Sequence, residues 1–379
     1  MKPENNRYKI GNIHLPNPIV VASCPATEDK ERLLSCADSG AAAAILKSCH
    51  AIGQAPQDRG FRRFHTTKRG LWGSSVKSRE LLHPEEVCAL LNDVGKETDM
   101  VVIPSVAGMT LDISCWLNTI RCFESFNPPC VQLDLFYLDI DLSLHKNQIL
   151  MQNLFRQLSQ QSHIALIPKL NFNLRPGAAS SMFNETGIAG WSLLDSLRVP
   201  IPTKQNCIPG DLPKFGHANG LDTASLFGIW QLPVVMEYTK SLRKLSQLSI
   251  VAGGGVSSAS DVQHLLSLGA DSVQVATAIL TEGSGWIRRT LNDLKNTGDE
   301  NCIRPIEEPV YTKACVNIDK SLCTSCGICS EQLMCSALYM HQGFPKVTPS
   351  ACDGCGFCSD LCSNGAISIV AIEQIEQRR

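Results

Sequence analysis

The sequence predicts an α/β protein, a (β/α)8 TIM barrel followed by a small cysteine-rich module. The barrel is predicted by eight short apolar runs between residues 10 and 294, which alternate with amphipathic stretches of helical period. The module is predicted by eight cysteines in two near-repeats within residues 323–362. At 379 residues, the chain is long enough for one large barrel and one small domain.

Composition and charge exclude several function classes. The apolar fraction is 44%, which is enough for a sizeable core, and the net charge of −2 gives no general attraction to nucleic acid or to an anionic membrane. The sequence contains no apolar run long enough to span a bilayer, and its first residues do not resemble a signal peptide. We therefore expect a cytoplasmic protein that binds neither nucleic acid nor membrane.

The eight predicted strands are short and rich in β-branched residues, as strands of a buried parallel sheet are. They cover residues 19–23, 43–47, 101–105, 131–135, 164–169, 190–194, 249–253 and 272–277. Helical patterns fall between them, for example at 85–91, 149–158 and 259–268. This alternation matches eight successive strand-helix units, which is the pattern of a closed barrel.

The loops after the seventh and eighth strands are a predicted phosphate site, because phosphate commonly binds there in such barrels. Glycines occupy 253–255, where their backbones can approach a phosphate, and the helix predicted to begin near Ser258 would direct its positive end there. The glycines alone are also compatible with an ordinary turn. Thr277, which ends the adjacent strand, makes the prediction more specific.

Two lysines end predicted strands at the same face of the barrel. Lys47 ends the second strand and Lys169 ends the fifth. Each alone is also compatible with a solvated loop lysine. Together with the phosphate loops they predict a flavin site, since a lysine can stabilise negative charge on a reduced isoalloxazine ring.

Six motifs of the barrel resemble, in order, those of the dihydroorotate dehydrogenase family. They lie at 17–23, 44–48, 105–109, 167–170, 252–256 and 273–280 and span nearly the whole barrel. The resemblance implies bound FMN. It implies that the ring and ribityl chain are lined by Ala22, Ser23, Lys47, Ser48 and Lys169, and the phosphate by Gly254, Gly255, Ala276 and Thr277.

The fourth strand departs from that family, whose members usually carry Asn-x-Ser-Cys-Pro-Asn after it, with the cysteine or a serine moving the substrate proton. This chain has D-L-F-Y-L-D at 134–139. Because Asp134 alternates with two leucines, we expect it to face the barrel interior, where desolvation raises its pKa. The candidate catalytic residues are thus Asp134, Tyr137 and, through its charge, Lys47. Alternatively, Asp134 only orients a neighbour and Tyr137 packs.

The cysteine-rich segment contains the repeats C-T-S-C-G-I-C and C-D-G-C-G-F-C, each followed by one further cysteine. Thiolates three residues apart on a tight loop can converge on one cubane cluster, and in two-cluster folds the fourth cysteine of each run ligates the other cluster. The predicted ligands are Cys323, Cys326, Cys329, Cys335, Cys352, Cys355, Cys358 and Cys362. Gly327 and Gly356 occupy the same place in each repeat, where a backbone without Cβ can pass close to a cluster.

Residues 313–370 resemble a bacterial-type ferredoxin domain with two [4Fe-4S] clusters. The first run departs from that pattern with five residues before its last cysteine, and serine replaces the proline that usually follows the fourth cysteine of each run. Two structural zinc sites are the alternative, since paired C-x-x-C motifs also suit tetrahedral zinc. A disulfide framework is disfavoured by the expected reducing compartment.

Ten of the 18 cysteines lie outside these repeats without metal-ligand spacing, and we expect them to be small buried hydrophobes. The segment 50–80, rich in Arg and Lys, is predicted either to cover the catalytic face as a basic lid or to be a solvated loop. The predicted domains are the FMN-binding barrel at 1–298, a linker at 299–312 where periodicity lapses and prolines accumulate, and the ferredoxin domain at 313–379.

The combination of domains resembles the pyrimidine-binding half of dihydropyrimidine dehydrogenase, including its PreA-type bacterial subunit. The predicted function is an oxidoreductase in which two [4Fe-4S] clusters exchange electrons with FMN, and FMN exchanges a hydride at a CH–CH bond of a small, pyrimidine-like substrate. A ferredoxin or an NAD(P)H-oxidising flavoprotein subunit is the expected redox partner, in a homo- or hetero-oligomer. The alternative is a non-catalytic electron-transfer subunit with a degenerate barrel site.

Overall fold

A computed structural model of the protein describes residues 7–54, 64–67, 70–76, 81–138, 140–142, 144–200, 223–296, 314–333 and 335–371. The chain divides into two compact units, Met1–Pro305 and Ile306–Arg379. The predicted domain limits at 298 and 313 fall near this division and stay predictions. The predicted linker, 299–312, and the basic side chains of the predicted lid lie outside the described residues.

Ten parallel strand segments form the sheet of the first unit, which we call the barrel unit. They make eight barrel strands, because the second and third strands are each interrupted once. The segments are Ile19–Val21, Ala43–Ile45 with Cys49–His50, Val101–Ile103 with Ser105–Ala107, Cys130–Asp134, Ala165–Lys169, Gly190–Ser192, Ser249–Gly253 and Ser272–Val275.

The eight strands form a closed ring. The eighth strand pairs with the first through Val273 and Ile19, and the first pairs with the second. The two segments of the second strand pair with the two segments of the third, and pairing continues in chain order through the sixth and seventh strands to the eighth. The α/β class and the TIM-like barrel predicted from the sequence are thereby confirmed.

Helices surround the barrel and bury one apolar face each. They are α1 (Lys30–Asp38), α2 (Pro84–Val94), α3 (Ile113–Phe123), α4 (His145–Gln161), α5 (Pro176–Phe183), α6 (Leu232–Leu245), α7 (Ala259–Ser267), α8 (Thr277–Glu282) and α9 (Gly285–Asn296). Side chains cap the starts of three helices. Asp29, Asp112 and Ser258 each accept a hydrogen bond from a backbone N–H at the N-cap of α1, α3 and α7, respectively. Among the described residues, no helix is long and apolar enough to cross a membrane.

The barrel unit contains two apolar layers. The larger lies between the sheet and the helices and includes the fully buried rings of Trp116, Trp191 and Phe155. The smaller lies near the amino ends of the strands, where the antiparallel pair Tyr8–Ile10 and Ile13–Leu15 packs against residues such as Val20. Because the amino ends are filled with apolar side chains, polar side chains concentrate at the carboxyl ends.

An antiparallel sheet of four strands follows two of the carboxyl ends. Phe64–Thr67 and Gly70–Val76 come after the second barrel strand, and Leu197–Pro200 and Thr223–Gly228 come after the sixth. The sheet order brings Gly70–Val76 beside Thr223–Gly228, with Ser75 opposite Ser225. Gly70–Val76, which belongs to the segment predicted as a lid, therefore pairs with Thr223–Gly228 from the loop after the sixth barrel strand.

The second unit, here the cysteine-rich unit, contains short elements only. Its described strands form two antiparallel pairs, Ala314–Ile318 with Ile367–Ala371 and Leu338–His341 with Phe344–Val347. A π-helical turn covers Ile328–Gln332, and helix α10 covers Phe357–Leu361. Each begins one residue before the last cysteine of its repeat, so the two repeats are alike in where a helical turn starts as well as in sequence. The identity of this unit as a ferredoxin domain stays a prediction.

Candidate active site

An open pocket lies at the carboxyl ends of the barrel strands, with an empty volume of about 870 Å³ that includes space open to solvent. Pockets at this end of a barrel are where such folds place their chemistry. Of the nine residues predicted to contact FMN, eight line it: Ala22, Ser23, Lys47, Lys169, Gly254, Gly255, Ala276 and Thr277. The ninth, Ser48, lies directly behind it and hydrogen-bonds to Ser23.

Two buried lysines form the polar wall of the pocket. Lys47 is 2% exposed and Lys169 is 5% exposed, so neither is a solvated loop residue. Lys169 ends the fifth strand, and its Nζ lies 3.0 Å from Oδ2 of the equally buried Asp195. Buried amino groups are costly unless something compensates their charge, and they are typical of sites that bind anions or stabilise developing negative charge.

The glycine loop after the seventh strand forms the opposite wall. Gly254 and Gly255 have φ values of +121° and +80°, which disfavour any residue with a side chain. A Cβ at Gly255 would lie 2.7 Å from the carbonyl oxygen of Gly228 and 2.8 Å from the nitrogen of Leu232. The loop itself thus requires glycine here, and the result is exposed backbone lining the pocket.

The helix predicted to direct its positive end at a phosphate starts where expected, but it is capped by its own residues. Ser257 and Ser258 donate their backbone N–H groups to the carboxylate of Asp261 at 2.8 and 2.9 Å. Thr277, the first residue of α8, also lines the pocket. That α7 directs its positive end at a phosphate stays a prediction.

Asp134 lies inside the barrel, as its alternation with leucines predicted. Its side chain is 2% exposed, and burial raises its pKa, with the charge of Asp195 acting in the same direction and that of Lys169 opposing both. Its two carboxyl oxygens accept from Ser48 Oγ at 2.9 Å and from the backbone N–H of Phe136 at 3.0 Å. The interior position and the direction of the pKa shift are confirmed.

Asp134 and Tyr137 are not among the described residues that line the pocket. The ring of Tyr137 packs edge-on against Phe136 with centroids 5.4 Å apart. Phe136 and its neighbours border a second, smaller cavity after the fourth and fifth strands, which also contacts Ser196. Of the three predicted catalytic residues, Lys47 lines the pocket, whereas Asp134 and Tyr137 lie outside its described walls. The catalytic role of all three stays a prediction.

Five polar side chains of the pocket were missed by the sequence reasoning: Cys24, Asp195, Ser196, Gln231 and Gln274. Asp195 follows the sixth strand, and Gln274 is a polar residue within the apolar eighth strand. A charged residue just after a strand and a polar residue inside an apolar strand are both signals that could have identified them. Cys24 directly follows Ser23 and was assigned to the apolar core. Burial raises its pKa, while the Ala26 N–H and the charges of Lys47 and Lys169 favour the thiolate.

A chain of buried hydrogen bonds crosses the barrel interior behind the pocket. Gln274 Nε2 donates to Ser192 Oγ at 2.9 Å, and Ser192 donates to Gln132 Oε1 at 2.7 Å. Gln132 Nε2 donates to Ser105 Oγ at 2.9 Å. Ser105 Oγ lies 2.9 Å from Ser48 Oγ, which is bonded to Ser23 and Asp134. Connected buried polar groups of this kind hold side chains in fixed positions.

A small cavity of the cysteine-rich unit is lined by cysteines of both repeats. Cys323, Cys326 and Cys329 come from the first repeat, and Cys362 comes from the second. This is the set that the crossed-over arrangement of two clusters predicts for one of them. In the second repeat, Cys358 lies close enough to Cys352 and Cys355 for their charges to act on its thiol.

Backbone geometry at the two repeats is also alike. Gly327 and Gly356 have φ values of +77° and +86°, the left-handed conformation that favours glycine. Backbone N–H groups of Ser325, Ala337 and Ala366 donate to cysteine sulfurs at 3.3 to 3.4 Å. Such bonds stabilise thiolates that bind iron. Among the described residues, no group of three or more His, Cys, Asp or Glu side chains is arranged to hold a metal ion directly.

The other cysteines are only partly as expected. Cys24, Cys36, Cys49, Cys130 and Cys315 are buried, which confirms the prediction for these five. Cys122 on α3 is exposed, and Cys88 and Cys115 are partly buried, so the prediction was wrong for Cys122. The face of α3 that bears Cys122 points away from the core that Trp116 and Phe123 occupy.

Comparison with known proteins identified two relatives of the same description. Dihydroorotate dehydrogenase B (NAD(+)), catalytic subunit, from Thermoplasma acidophilum is 22% identical over 310 residues, which cover 79% of this chain and 96% of that protein. The protein of that name from Latilactobacillus sakei is 28% identical over 123 residues, or 32% of this chain and 36% of its own length. No protein-family model matches the chain.

The first alignment spans nearly all of its relative and most of this chain. Together with the barrel and its pocket, these similarities support a flavin-dependent oxidoreductase that acts on a CH–CH bond. The flavin they imply is FMN. They leave the substrate open, and neither relative's description mentions iron–sulfur clusters.

Proposed function

We propose that the barrel pocket binds FMN and catalyses hydride exchange at a CH–CH bond of a small, planar, pyrimidine-like substrate. The cysteine-rich unit holds two [4Fe-4S] clusters, which pass single electrons between FMN and a redox partner. FMN, when bound, supplies the conversion between two-electron and one-electron chemistry. The observation that carries the proposal is the convergence of two buried lysines and two backbone loops on one pocket.

The residues of the pocket fit the parts of FMN. Gly254, Gly255 and Thr277 present backbone and hydroxyl groups suited to a phosphate, and α8 begins at Thr277. Lys47 and Lys169 supply positive charge where the ring gains negative charge on reduction. Leu194, Val256 and Val275 add apolar wall, which an aromatic ring system requires.

The cysteine-rich unit fits two clusters better than two zinc ions. In a cubane each thiolate binds a different iron, so its four sulfurs surround a cavity instead of meeting at one point. Cys323, Cys326, Cys329 and Cys362 surround such a cavity. Cys335 would then join the second repeat as the fourth ligand of the other cluster.

A partner subunit is part of the proposal. The relatives are described as the catalytic subunit of an enzyme that uses NAD(+). The sequence contains no G-x-G-x-x-G motif, which favours a nicotinamide site on another polypeptide. We therefore propose an NAD(P)H-oxidising flavoprotein subunit or a ferredoxin as the redox partner.

One observation favours a second function. Asp134 and Tyr137, the predicted replacements for the family's proton-transfer residue, lie outside the described walls of the pocket. A chain that binds FMN and clusters without a proton donor at the substrate would be a non-catalytic electron-transfer subunit. The two functions differ in whether a substrate exchanges electrons with the flavin.

Anaerobic purification tests the proposal. The protein is expected to show a flavin spectrum with iron and acid-labile sulfide in equal amounts, and its reduced flavin is expected to be reoxidised by uracil, thymine or orotate. Lys47→Met is expected to lose FMN, whereas Lys30→Met, at an exposed lysine paired with Glu97, retains it. Zinc in place of iron and sulfide contradicts the clusters, and an absence of FMN contradicts the barrel site. Flavin that no pyrimidine reoxidises favours the electron-transfer subunit.

A further inference from the structure

We propose that Asp134 exchanges protons with the pocket through the hydroxyl groups of Ser48 and Ser23. This inference rests on the proposed function and deepens it, because it supplies the proton transfer that an oxidoreductase acting on CH–CH bonds requires. Ser23 lines the pocket. The hydroxyl groups of Ser23 and Ser48 lie between the pocket and Asp134. Asp134 is thus a positioning residue that acts through Ser48 and Ser23.

The distances make a continuous path. Asp134 Oδ2 lies 2.9 Å from Ser48 Oγ, and Ser48 Oγ lies 3.2 Å from Ser23 Oγ. Asp134 ends the fourth barrel strand, Ser48 lies in the interruption of the second, and Ser23 follows the first, so the ring of strands fixes their spacing. All three side chains are at least nine-tenths buried, which keeps bulk water away from the path.

The donors along the interior chain define the direction of each bond. Gln132 Nε2 donates to Ser105 Oγ, so the Ser105 hydroxyl proton is available for Ser48 Oγ. The backbone N–H of Ser48 donates to Ser23 Oγ at 3.2 Å. The hydroxyl proton of Ser48 has two possible acceptors. It bonds to Asp134 when that carboxyl is ionised. It bonds to Ser23 when the Asp134 carboxyl is protonated and donates a hydrogen bond to Ser48.

The surrounding charges allow Asp134 to hold a proton. Lys169 and Asp195 face it and pair with each other at 3.0 Å, so Asp195 already supplies the carboxylate for that lysine. From the second strand, Asp134 is faced by the neutral hydroxyl of Ser48. Burial and Asp195 raise the pKa of Asp134, whereas Lys169, the Phe136 N–H and Ser48 lower it.

The transfer balances when written for oxidation of a CH–CH bond. One carbon gives up a hydride to the flavin, and the neighbouring C–H bond breaks and leaves its electron pair in the new C=C bond. Ser23 Oγ accepts the released proton and passes its own proton to Ser48, which passes its own to the Asp134 carboxylate. The net result is two C–H bonds broken and one C=C bond formed, with the hydride taken up by the oxidised flavin of the proposed function and the proton held as one new carboxyl O–H bond. Reduction of a C=C bond runs the path in reverse.

Infrared spectroscopy of the full-length protein tests the path without a substrate. A neutral carboxylic acid has a C=O stretch apart from that of carboxylates, and we expect one band that Asp134→Asn removes at neutral pH. Transfer into D₂O shifts this band as the carboxyl proton exchanges. Ser48→Ala is expected to shift the band and to slow its deuteration about tenfold or more, the effect of losing one hydrogen-bonded link on a rate.

Three matched variants separate the path from a general packing effect. Ser23→Ala is expected to slow deuteration with little shift of the band, and Ser48→Thr, which retains a hydroxyl, is expected to restore both. Ser272→Ala removes an equally buried serine at the start of the eighth strand, outside this chain of hydrogen bonds, and it is expected to leave the band and its exchange unchanged.

Two outcomes overturn the inference. One is that Asp134→Asn removes no neutral carboxyl band, since Asp134 is then ionised. The other is that the band exchanges at equal rates in Ser48→Ala and Ser272→Ala. The FMN content of each sample, from its visible spectrum, reports separately on the proposed function. Protein without FMN that passes the infrared test contradicts the flavin site alone, and protein with FMN that fails it contradicts the path alone.

Discussion

The two units of this protein build their sites in opposite ways. The barrel unit surrounds its pocket with a large apolar layer that contains fully buried Trp116, Trp191 and Phe155. The buried core of the cysteine-rich unit consists of Val316, Cys329, Leu338, Cys358 and Ile367. Two of these five core residues are predicted cluster ligands, so in this unit the site and the core are largely the same residues.

This difference indicates which interactions supply the folding free energy of each unit. A closed ring of eight strands with its helices can bury enough apolar surface to hold a site in place before any cofactor binds. A unit of 74 residues built from short elements cannot do so easily and commonly relies on bound metal for stability. Cofactor removal should therefore affect the two units very differently.

Removal of iron has the largest expected effect. Binding of metal contributes on the order of 10 kcal/mol to the folding of small metal-dependent domains, because the ligands are brought together only in the folded state. We expect chelation of iron to abolish hydrogen-exchange protection of the strands in 314–371 and to leave the barrel strands protected. Hydrogen exchange with mass spectrometry measures both units in one sample.

Single cysteine variants sharpen the same comparison. Cys329→Ser, within the core of the cysteine-rich unit, is expected to reduce iron content and to lose protection in 314–371. Cys122→Ser, at an exposed cysteine of α3, should change neither. Retained protection in 314–371 after complete loss of iron would show that this unit has an apolar core sufficient for its own fold.

The buried ion pair of the pocket should have the next largest effect. Lys169→Met removes the lysine that lies 3.0 Å from Asp195 and leaves that carboxylate buried without it. Breaking one side of a buried pair costs about 3–5 kcal/mol, whereas replacing both partners with apolar residues costs much less. Urea denaturation of the barrel transition should thus show Lys169→Met as far less stable than Lys169→Met with Asp195→Leu.

An exposed ion pair is the matched control. Lys30 and Glu97 have side chains that are 41% and 48% exposed. Removing such a lysine costs about 1 kcal/mol or less, because water compensates both charges. Equal losses for Lys30→Met and Lys169→Met would mean that the pair at the pocket is not the desolvated interaction that its burial indicates.

Much of the barrel was predictable because its signals are local. Apolar runs report buried strands, and Lys47 and Lys169 could be placed at the pocket because they end such runs. The capping of α7 by Asp261, which accepts from the N–H groups of Ser257 and Ser258, was not predicted from the sequence. The separation of Asp134 from the pocket was not predicted either, because it depends on how the strands are arranged around the ring. The grouping of Cys362 with the first repeat was expected from the arrangement of two-cluster folds.

The glycine loop allows a smaller but cleaner test of the pocket. Gly255 and Gly283 have almost the same φ, +80° and +78°, but an added Cβ meets backbone atoms only at Gly255. Gly283→Ala should cost about 1–2 kcal/mol from the left-handed conformation alone. Gly255→Ala should cost a further 1–3 kcal/mol, about the range for overpacking, and should lose FMN. Urea denaturation and flavin content measure the two effects, and equal stability of both variants would contradict the close approach of Gly228.

The pH dependence of stability is the smallest expected effect, and it reports on Asp134 directly. A carboxyl whose pKa is higher in the folded state binds more protons there than in the unfolded chain, so the free energy of unfolding falls as pH rises between the two pKa values and is level above them. Each unit of difference corresponds to about 1.4 kcal/mol. Burial raises the pKa of Asp134 above its usual value of 3.8, which sets the lower end of this window. Asp134→Asn, which keeps the shape of the neutral acid, should therefore gain stability relative to the wild type as pH rises through the window. Urea denaturation at a series of pH values measures the difference in free energy of unfolding between the variant and the wild type. If that difference stays constant with pH, Asp134 has the same proton affinity in the folded and unfolded states. The charge of Lys169 would then compensate the burial of Asp134 completely.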